Sequence, residues 1–243
     1  MKKPLIIVAA LVAALAIRAG EVRLNGASTT VNAVINPGKA AVEAATGLTL
    51  KVTGTNTGKG LAALLAGECD ASLTSEPLDV SMLAGKFAGL TLNASDFQLH
   101  QVKEDYGEFV VHPSNPVSKL GDAQVKGILA GEIANWKDVG GPDLPIVVLT
   151  DPVGAGTRTL VQQRALGGGE YGPKTVAVEN VRLVAGRIAE LKGGFGFIGH
   201  SFVTPTVKVV ETTRITRPLG FLTKGAPGAD VQKVIDAFRA VAR

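Results

Sequence analysis

The chain of 243 residues contains little of what disulfide frameworks and metal centres are built from. Cys69 is its only cysteine, which excludes an internal disulfide, and its apolar neighbours favour a buried, inert thiol. The three histidines, His100, His112 and His200, are scattered and show no His-x-x-x-His or Glu-x-x-His spacing. We therefore expect no bound metal and no cofactor.

Sequence motifs of enzymes are also missing. There is no Gly-x-Ser-x-Gly nucleophile elbow and no paired-acid motif. The segment Gly54 to Gly60 approaches a phosphate-binding P-loop, but only three residues separate Gly54 from Gly58-Lys59, and a glycine follows where Ser or Thr is required. We therefore predict neither a nucleotide triphosphatase nor another enzyme, although a Gly/Thr turn that opens a helix still presents N–H and O–H donors.

Long apolar runs are confined to the N-terminus. Two lysines precede the run Leu5 to Ala16, and Ala14-Leu15-Ala16 offers a small-residue cleavage site, with Ala19 as a second choice. This arrangement is typical of a secretory signal peptide, and the run is short for a transmembrane helix, although an uncleaved anchor is the alternative. We predict a signal peptide over residues 1–19.

The chain has no strong excess of charge once this segment is set aside. The full sequence has 25 basic and 21 acidic residues. Residues 1–19 contain three of the basic residues and none of the acidic ones, so 22 basic residues face 21 acidic ones in the mature chain. A net charge of about +1 gives no reason to expect a nucleic acid as partner.

Predicted strands and helices alternate along most of the chain, which is typical of an α/β fold with mostly parallel strands. The stretch Tyr106 to Asn115 divides two alternating runs, and Phe195 to Val203 can carry the chain back. We therefore predict two lobes, one of residues 20–104 plus 200–243 and the other of residues 105–199, with a ligand between them. Four short strands are predicted near the crossings: Phe97 to Val102, Tyr106 to His112, Val207 to Val210 and Leu219 to Leu222.

The clearest indication of a binding site is a glycine-rich turn between a predicted strand and a predicted helix. The apolar run Pro145 to Leu149 leads through Asp151 to Gly156 into a helix predicted over Thr157 to Leu166. The first N–H groups of such a helix lack intrahelical partners, and together with the helix dipole they attract an anion. Similar turns lie near residues 27 and 55. Three converging helix N-termini indicate a receptor for a small, oxygen-rich ligand.

Polar residues beside these turns allow two interpretations each. Ser28, Thr29 and Thr30 can cap the following helix or bind a ligand. Glu76 ends a predicted strand because Pro77 favours extended backbone before it, at the sheet edge where open α/β proteins bind ligands. A solvated loop carboxylate is the alternative for Glu76.

Five segments together resemble the substrate-binding proteins of phosphate ABC transporters. They occur in the order found in that family: Gly26-Ala27-Ser28-Thr29-Thr30-Val31, Ser75-Glu76-Pro77-Leu78, His112-Pro113-Ser114-Asn115-Pro116, Gly131-Glu132-Ile133-Ala134-Asn135-Trp136-Lys137-Asp138-Val139-Gly140-Gly141 and Gly154-Ala155-Gly156-Thr157-Arg158. The resemblance covers nearly all of the mature chain. It implies a two-lobed, hinged type II periplasmic binding fold that closes over a dehydrated oxyanion and delivers it to a membrane permease.

The resemblance also implies which residues bind the ligand. Thr29 and Thr30 match the first phosphate-binding turn, Thr57 matches the hydroxyl of the second, and Gly156 and Thr157 match part of the third. Glu76 falls where the family often has an Asp that accepts the phosphate proton. The predicted ligand-binding residues are Ser28, Thr29, Thr30, Thr57, Gly58, Ser75, Glu76, Asp151, Gly154, Ala155, Gly156, Thr157 and Arg158.

The third turn departs from the family at two positions. The arginine of the family is Asp151 here, and the serine between the two glycines is Ala155. Asp151 and Glu76 would bring two carboxylates into one cleft, where like charges repel. Three arrangements are open: Arg158 replaces the missing cation, Asp151 points outward as a turn residue, or the ligand has changed. We expect phosphate to bind more weakly than micromolar, that is, above about −8 kcal/mol.

The sequence thus predicts a monomeric periplasmic protein that captures phosphate or a related oxyanion for ABC-type uptake, without catalysis. A sensor or scaffold of the cell envelope, with a changed or lost ligand, is the main alternative. An enzyme is the less favoured one.

Overall fold

The computed structural model describes residues 20–242, so the predicted signal peptide lies outside the described residues. Strands and helices alternate along this part of the chain. The strands are β1 Glu21–Ala27, β2 Thr49–Thr55, β3 Ala71–Thr74, β4 Phe97–Val111, β5 Val147–Thr150, β6 Val176–Ala177, β7 Gly194–Gly199 and β8 Lys208–Lys224. The α-helices are α1 Ser28–Thr30, α2 Asn36–Thr46, α3 Thr57–Leu65, α4 Leu78–Phe87, α5 Asp122–Ala130, α6 Gly156–Arg164, α7 Val181–Glu190 and α8 Ala229–Val241.

The strands form one hydrogen-bonded sheet in the order β2-β1-β3-β8-β4-β7-β5-β6. At one end β1 pairs in parallel with β2 and β3, and at the other β5 pairs in parallel with β6 and β7. The long strands β4 and β8 run antiparallel to each other through the middle. The predicted two-lobed α/β fold is therefore confirmed, with β4 and β8 as the two crossover strands.

Each half of the sheet has its own hydrophobic core. In the first half, Leu24 of β1 packs in one cluster with Phe238 of α8. In the second half, fully buried Trp136 meets Phe195 edge-on, with 5.9 Å between the ring centroids. Its indole Nε1–H donates to the carbonyl oxygen of Gly193 at 3.1 Å. The Gly-x-Ile-x-Asn-Trp segment therefore contributes to the core of the second half.

Both crossover strands are longer than the sequence pattern predicts. Two strands were expected in place of β4 and two in place of β8, but each is continuous. The predicted gaps contain charged residues, among them Asp105 in β4 and Arg217 in β8, which face each other in the ladder. Because these charges pair across the two strands, the local apolar pattern stops while the backbone pairing continues.

Two predicted helices also differ in extent. The sequence pattern predicts one or two helices over Val117 to Gly131, but α5 begins only at Asp122. It predicts a helix over Leu61 to Ala66, but α3 already begins at Thr57. Helix α3 includes Gly60, where a side chain has no room: an added Cβ would lie 2.7 Å from the Cα of Gly26 in β1. This glycine therefore allows the helix to approach the sheet closely.

The exact lobe boundaries stay a prediction. Val207 and Val210 belong to the hydrophobic clusters of the second half. Leu219 and Phe221 belong to the core of the first half. We therefore propose that the chain returns to the first lobe within β8, and not at residue 199 as the sequence pattern suggests.

Candidate functional site

A cleft lies where the two halves of the sheet meet, at the carboxyl ends of parallel strands. Strands β1, β2, β3 and β5 all end there, which is the position where open α/β sheets bind ligands. The cleft holds about 290 Å³ of space, counting its open mouth. It is lined by Ala27, Ser28, Thr29, Thr55, Asn56, Thr57, Ser75, Glu76, Asp151, Pro152, Ala155, Gly156, Thr157, Glu179, Asn180 and Val181.

Four helices begin at this cleft: α1, α3, α6 and α7. Three of these N-termini were predicted, and the fourth, at Glu179 to Val181, was not. Asn56 and Asn180 cap α3 and α7 by accepting the N–H groups of Lys59 and Arg182. Helix α6 has no side-chain cap, so the N–H groups of its first turn are directed to the cleft without a side-chain acceptor.

Glu76 is fully buried in this cleft. Its Oε2 accepts from Thr57 Oγ1 at 2.7 Å, from Thr74 Oγ1 at 3.1 Å and from the backbone N–H of Ser75 at 3.2 Å. Ser75 Oγ donates to the other carboxylate oxygen. Gly156 lies directly over the group, because a Cβ there would come within 2.0 Å of Oε2. The interpretation of Glu76 as a solvated loop residue is therefore wrong.

Asp151 shares the cleft with Glu76 and is 5 % exposed, so it does not point outward. Its Oδ1 accepts no hydrogen bond from any residue in the described range 20–242. Burial, and secondarily the neighbouring Glu76 carboxylate, raise the pKa of Asp151 to about 7. The cleft thus contains two carboxyl groups, one enclosed by donors and one without a donor.

Arg158 does not replace the cation that the family has in this turn. Its guanidinium lies over the Tyr171 ring, 4.4 Å from the centroid, outside the cleft. Its Nη1 donates to the backbone oxygen of Asp151 at 3.3 Å, so it supports the turn and not the carboxylate. Tyr171 in turn donates its hydroxyl to the carbonyl oxygen of Arg158 at 3.1 Å.

Three further predicted residues lie behind the cleft and do not line it. Thr30 Oγ1 donates to the carbonyl oxygen of Thr74 at 2.5 Å and so ties α1 to β3. The N–H of Gly58 donates to the carbonyl oxygen of Gly154 at 3.1 Å, which joins the two halves. A side chain is excluded at Gly58, because its Cβ would lie 2.6 Å from that oxygen. The predicted residues that do line the cleft are Ser28, Thr29, Thr57, Ser75, Glu76, Asp151, Ala155, Gly156 and Thr157.

A buried cation, Arg217, lies behind the cleft, and the sequence pattern does not predict it. Arg217 of β8 is 1 % exposed. Its Nη1 donates to Thr157 Oγ1 at 3.3 Å, and its Nε and Nη2 donate to Asp105 Oδ2 at 3.3 and 3.2 Å. Since Thr157 Oγ1 accepts this bond, its own hydrogen is available to a group in the cleft.

Other potential reactive groups lie elsewhere. Burial raises the pKa of the Cys69 thiol to about 11, so it stays protonated at neutral pH. Within residues 20–242, no group of three or more His, Cys, Asp and Glu side chains is arranged to hold a metal ion. None of the helices in this range has the length and apolar character needed to cross a bilayer.

A family model described as the PBP superfamily domain matches residues 12–229 of the chain. The chain belongs to this superfamily. The resemblance predicted from the five sequence segments is therefore confirmed at the level of this superfamily.

Individual relatives give more specific similarities. The chain is 30 % identical over 105 residues to the phosphate-binding protein PstS of Bacillus subtilis (strain 168), which is 43 % of this chain and 35 % of that protein. The matched part thus spans about a third of that relative. A Clostridium perfringens protein, described as a phosphate ABC transporter substrate-binding protein and solved with bound phosphate, superposes with a TM-score of 0.77. The two are 21 % identical, over 90 % of this chain and 92 % of that one.

The same fold also occurs in a regulatory protein. The CcmR regulatory domain of Synechocystis PCC6803, solved with 2-PG, superposes with a TM-score of 0.68 at 13 % identity, covering 92 % of this chain and 98 % of that one. Transport receptors and regulatory domains thus share this architecture. The fold alone does not decide between these two roles, so the function must be inferred from the residues of the cleft.

Proposed function

We propose that this chain is a periplasmic solute-binding protein that captures phosphate or a related small oxyanion and delivers it to an ABC transporter permease. The observation that carries the proposal is the convergence of four helix N-termini on one cleft between the two halves of the sheet. Each N-terminus directs N–H groups and the positive end of a helix dipole toward the same small volume, which is the environment that an anion prefers.

The side chains of the cleft suit a tetrahedral oxyanion that carries at least one proton. The Thr157 hydroxyl accepts a hydrogen bond from Arg217, so its own hydrogen can be donated to a ligand. The buried Glu76 carboxylate can accept a hydrogen bond from an O–H group of the ligand. It would repel an anion without a proton, such as sulfate. The phosphate-binding relative and the phosphate-bound structure favour phosphate as the first ligand to test.

Binding without turnover is part of the proposal. Among the described residues, those that line the cleft include no histidine, cysteine or lysine. A Ser-His or Cys-His pair, the usual nucleophile and base of hydrolases, is therefore not present among these residues.

The test is titration calorimetry of the mature chain, residues 20–243, with inorganic phosphate. We expect one phosphate per chain, with the affinity weaker than micromolar as the sequence predicts. Replacing Thr57 or Thr157 by Val removes a hydroxyl from the cleft and leaves a buried group unpaired. Each change should weaken binding by roughly 1–3 kcal/mol.

Thr91 provides a matched control, because it is exposed and lies outside the cleft. Thr91→Val should leave phosphate affinity unchanged. Unchanged affinity in both Thr57→Val and Thr157→Val would show that the ligand binds elsewhere. An absence of phosphate binding, together with binding of an unrelated metabolite, would favour the regulatory alternative.

A further inference from the structure

Hydrogen-bond donors and acceptors are unevenly distributed around the cleft. Donors come from the N-termini of the helices and from Thr157, whose hydroxyl accepts from Arg217. Acceptors come from Glu76 and Asp151, which face the same small space. A ligand that satisfies this site must accept hydrogen bonds on one side and donate them on the other.

The unpartnered oxygen of Asp151 makes the second requirement specific. Asp151 is more than nine-tenths buried, and its Oδ1 receives no hydrogen bond from residues 20–242. A buried acceptor without a donor is unfavourable, so a ligand that brings an O–H group to Oδ1 gains affinity from it. Glu76 differs, because hydroxyl and N–H groups already surround its carboxylate.

Within residues 20–242, no cation forms a salt bridge with the Asp151 carboxylate, and the positive charges of Arg217 and Arg158 lower its pKa only through space. The guanidinium of Arg217 is committed to Asp105 and Thr157, and that of Arg158 to the backbone oxygen of Asp151 and the Tyr171 ring. The titratable and charged groups that face Asp151 from the surrounding elements are Glu76, Arg158, Tyr171, Glu179 and Arg217.

We propose that Asp151 makes this cleft selective for a doubly protonated oxyanion, such as the dihydrogen phosphate monoanion, over the dianion. The inference rests on the proposed function. One O–H of the ligand donates to Glu76 and the second donates to Asp151, while the two remaining oxygens accept from the helix N-termini and Thr157.

The same complex forms if the shared proton resides on Asp151 and the ligand is the dianion, because the two descriptions differ only in which atom holds that proton. Burial and Glu76 raise the pKa of Asp151 to about 7, close to the pH at which phosphate exchanges between its monoanion and dianion. Above neutral pH, free Asp151 and free phosphate have both lost the proton that they share in the complex. Binding therefore takes up one proton.

Calorimetry of the mature chain with inorganic phosphate, between about pH 5.5 and about pH 8.5, tests the proposal. Above neutral pH we expect the affinity to fall by about tenfold per pH unit, and buffers of different ionisation enthalpy should report uptake of about one proton per phosphate. Asp151→Asn supplies a permanent N–H donor to the dianion, so it should flatten this slope and bind phosphate more tightly than the wild type at the alkaline end.

Asp138→Asn is the matched control, because Asp138 is an exposed carboxylate outside the cleft, and its pH slope should equal that of the wild type. Equal affinity of the wild type at all pH values, or an unchanged slope in Asp151→Asn, would overturn this inference while leaving phosphate binding intact. No binding in either protein at any pH would overturn the proposed function and this inference together. Binding by the wild type without proton uptake above neutral pH would overturn the inference even if Asp151→Asn folds poorly.

Discussion

Replacing Arg217 by Met would remove the only described cation that contacts a hydroxyl of the cleft, at nearly constant side-chain volume. The change breaks the 3.2 Å ion pair with Asp105 and the 3.3 Å hydrogen bond to Thr157. The Arg217 side chain has no exposure and that of Asp105 only 10 %, so water cannot replace the lost cation. An uncompensated charge would be left inside the protein.

Removing one partner of a buried pair costs about 3–5 kcal/mol. Domains of this size lose about 2–4 °C of melting temperature per kcal/mol, so Tm should fall by about 6–20 °C. Removing both charges, in Asp105→Leu with Arg217→Met, leaves no orphan and should recover most of this stability. Phosphate affinity should stay low in both variants, because the Thr157 hydroxyl has lost the donor that orients it.

Urea unfolding followed by circular dichroism measures these changes, with Lys119→Met as the control. Lys119 pairs with Glu211 at 2.7 Å, but both side chains are about 70 % exposed, so its loss should hardly change stability. If Arg217→Met were as stable as the wild type, or if the double variant were no more stable than the single one, the assigned role of the pair would be wrong.

Two further changes test the packing and the charges of the cleft. Gly156→Ala places a Cβ 2.0 Å from Glu76 Oε2 and should displace that carboxylate, lowering stability by about 1–3 kcal/mol along with phosphate affinity. Gly186→Ala, in open space within α7, should instead stabilise the protein by about 0.5–1 kcal/mol, and equal effects of the two changes would contradict the packing argument. Because its pKa is raised, Asp151 keeps its proton in the folded, ligand-free chain between about pH 4 and about pH 7, where the unfolded chain loses it. The free energy of unfolding therefore falls as the pH rises through this window, and Asp151 causes no further loss above it. In urea unfolding at about pH 8, Asp151→Asn should therefore be more stable than the wild type, by at most about 4 kcal/mol. At about pH 4 the difference should be small, and a gain in stability that does not depend on pH would refute the assigned titration.

The sequence predicts the convergence of helix N-termini well because that signal is local. Glycine-rich turns after apolar runs place Thr57 and Thr157 at the starts of α3 and α6, and the parallel strands before them end at one edge. The burial of Glu76 follows from the same logic, since Pro77 ends its strand at that edge. Nine of the thirteen predicted site residues line the cleft for this reason.

Arg217 could not be found in this way, because its partner lies 112 positions earlier in the sequence. A charged residue in a strand usually faces water, and only the pairing of β4 with β8 shows that Arg217 and Asp105 face each other inside the protein. The apolar pattern is interrupted at both positions, and from sequence alone each interruption indicates a gap between two strands. Arg158 belongs to a segment that resembles the phosphate-binding family, but its stacking on Tyr171 depends on a tertiary contact that the sequence does not show.

A crystal structure of residues 20–243 grown with phosphate at about pH 6, below the raised pKa of Asp151, tests the proposed site directly. We expect one phosphate in the cleft, with its oxygens about 2.7–3.2 Å from Thr157 Oγ1, from an N–H group in the first turn of α6 and from Asp151 Oδ1. Phosphate bound away from these three groups, or a cleft closed by direct contact between Asp151 and a protein donor at the same phosphate concentration, would contradict this expectation.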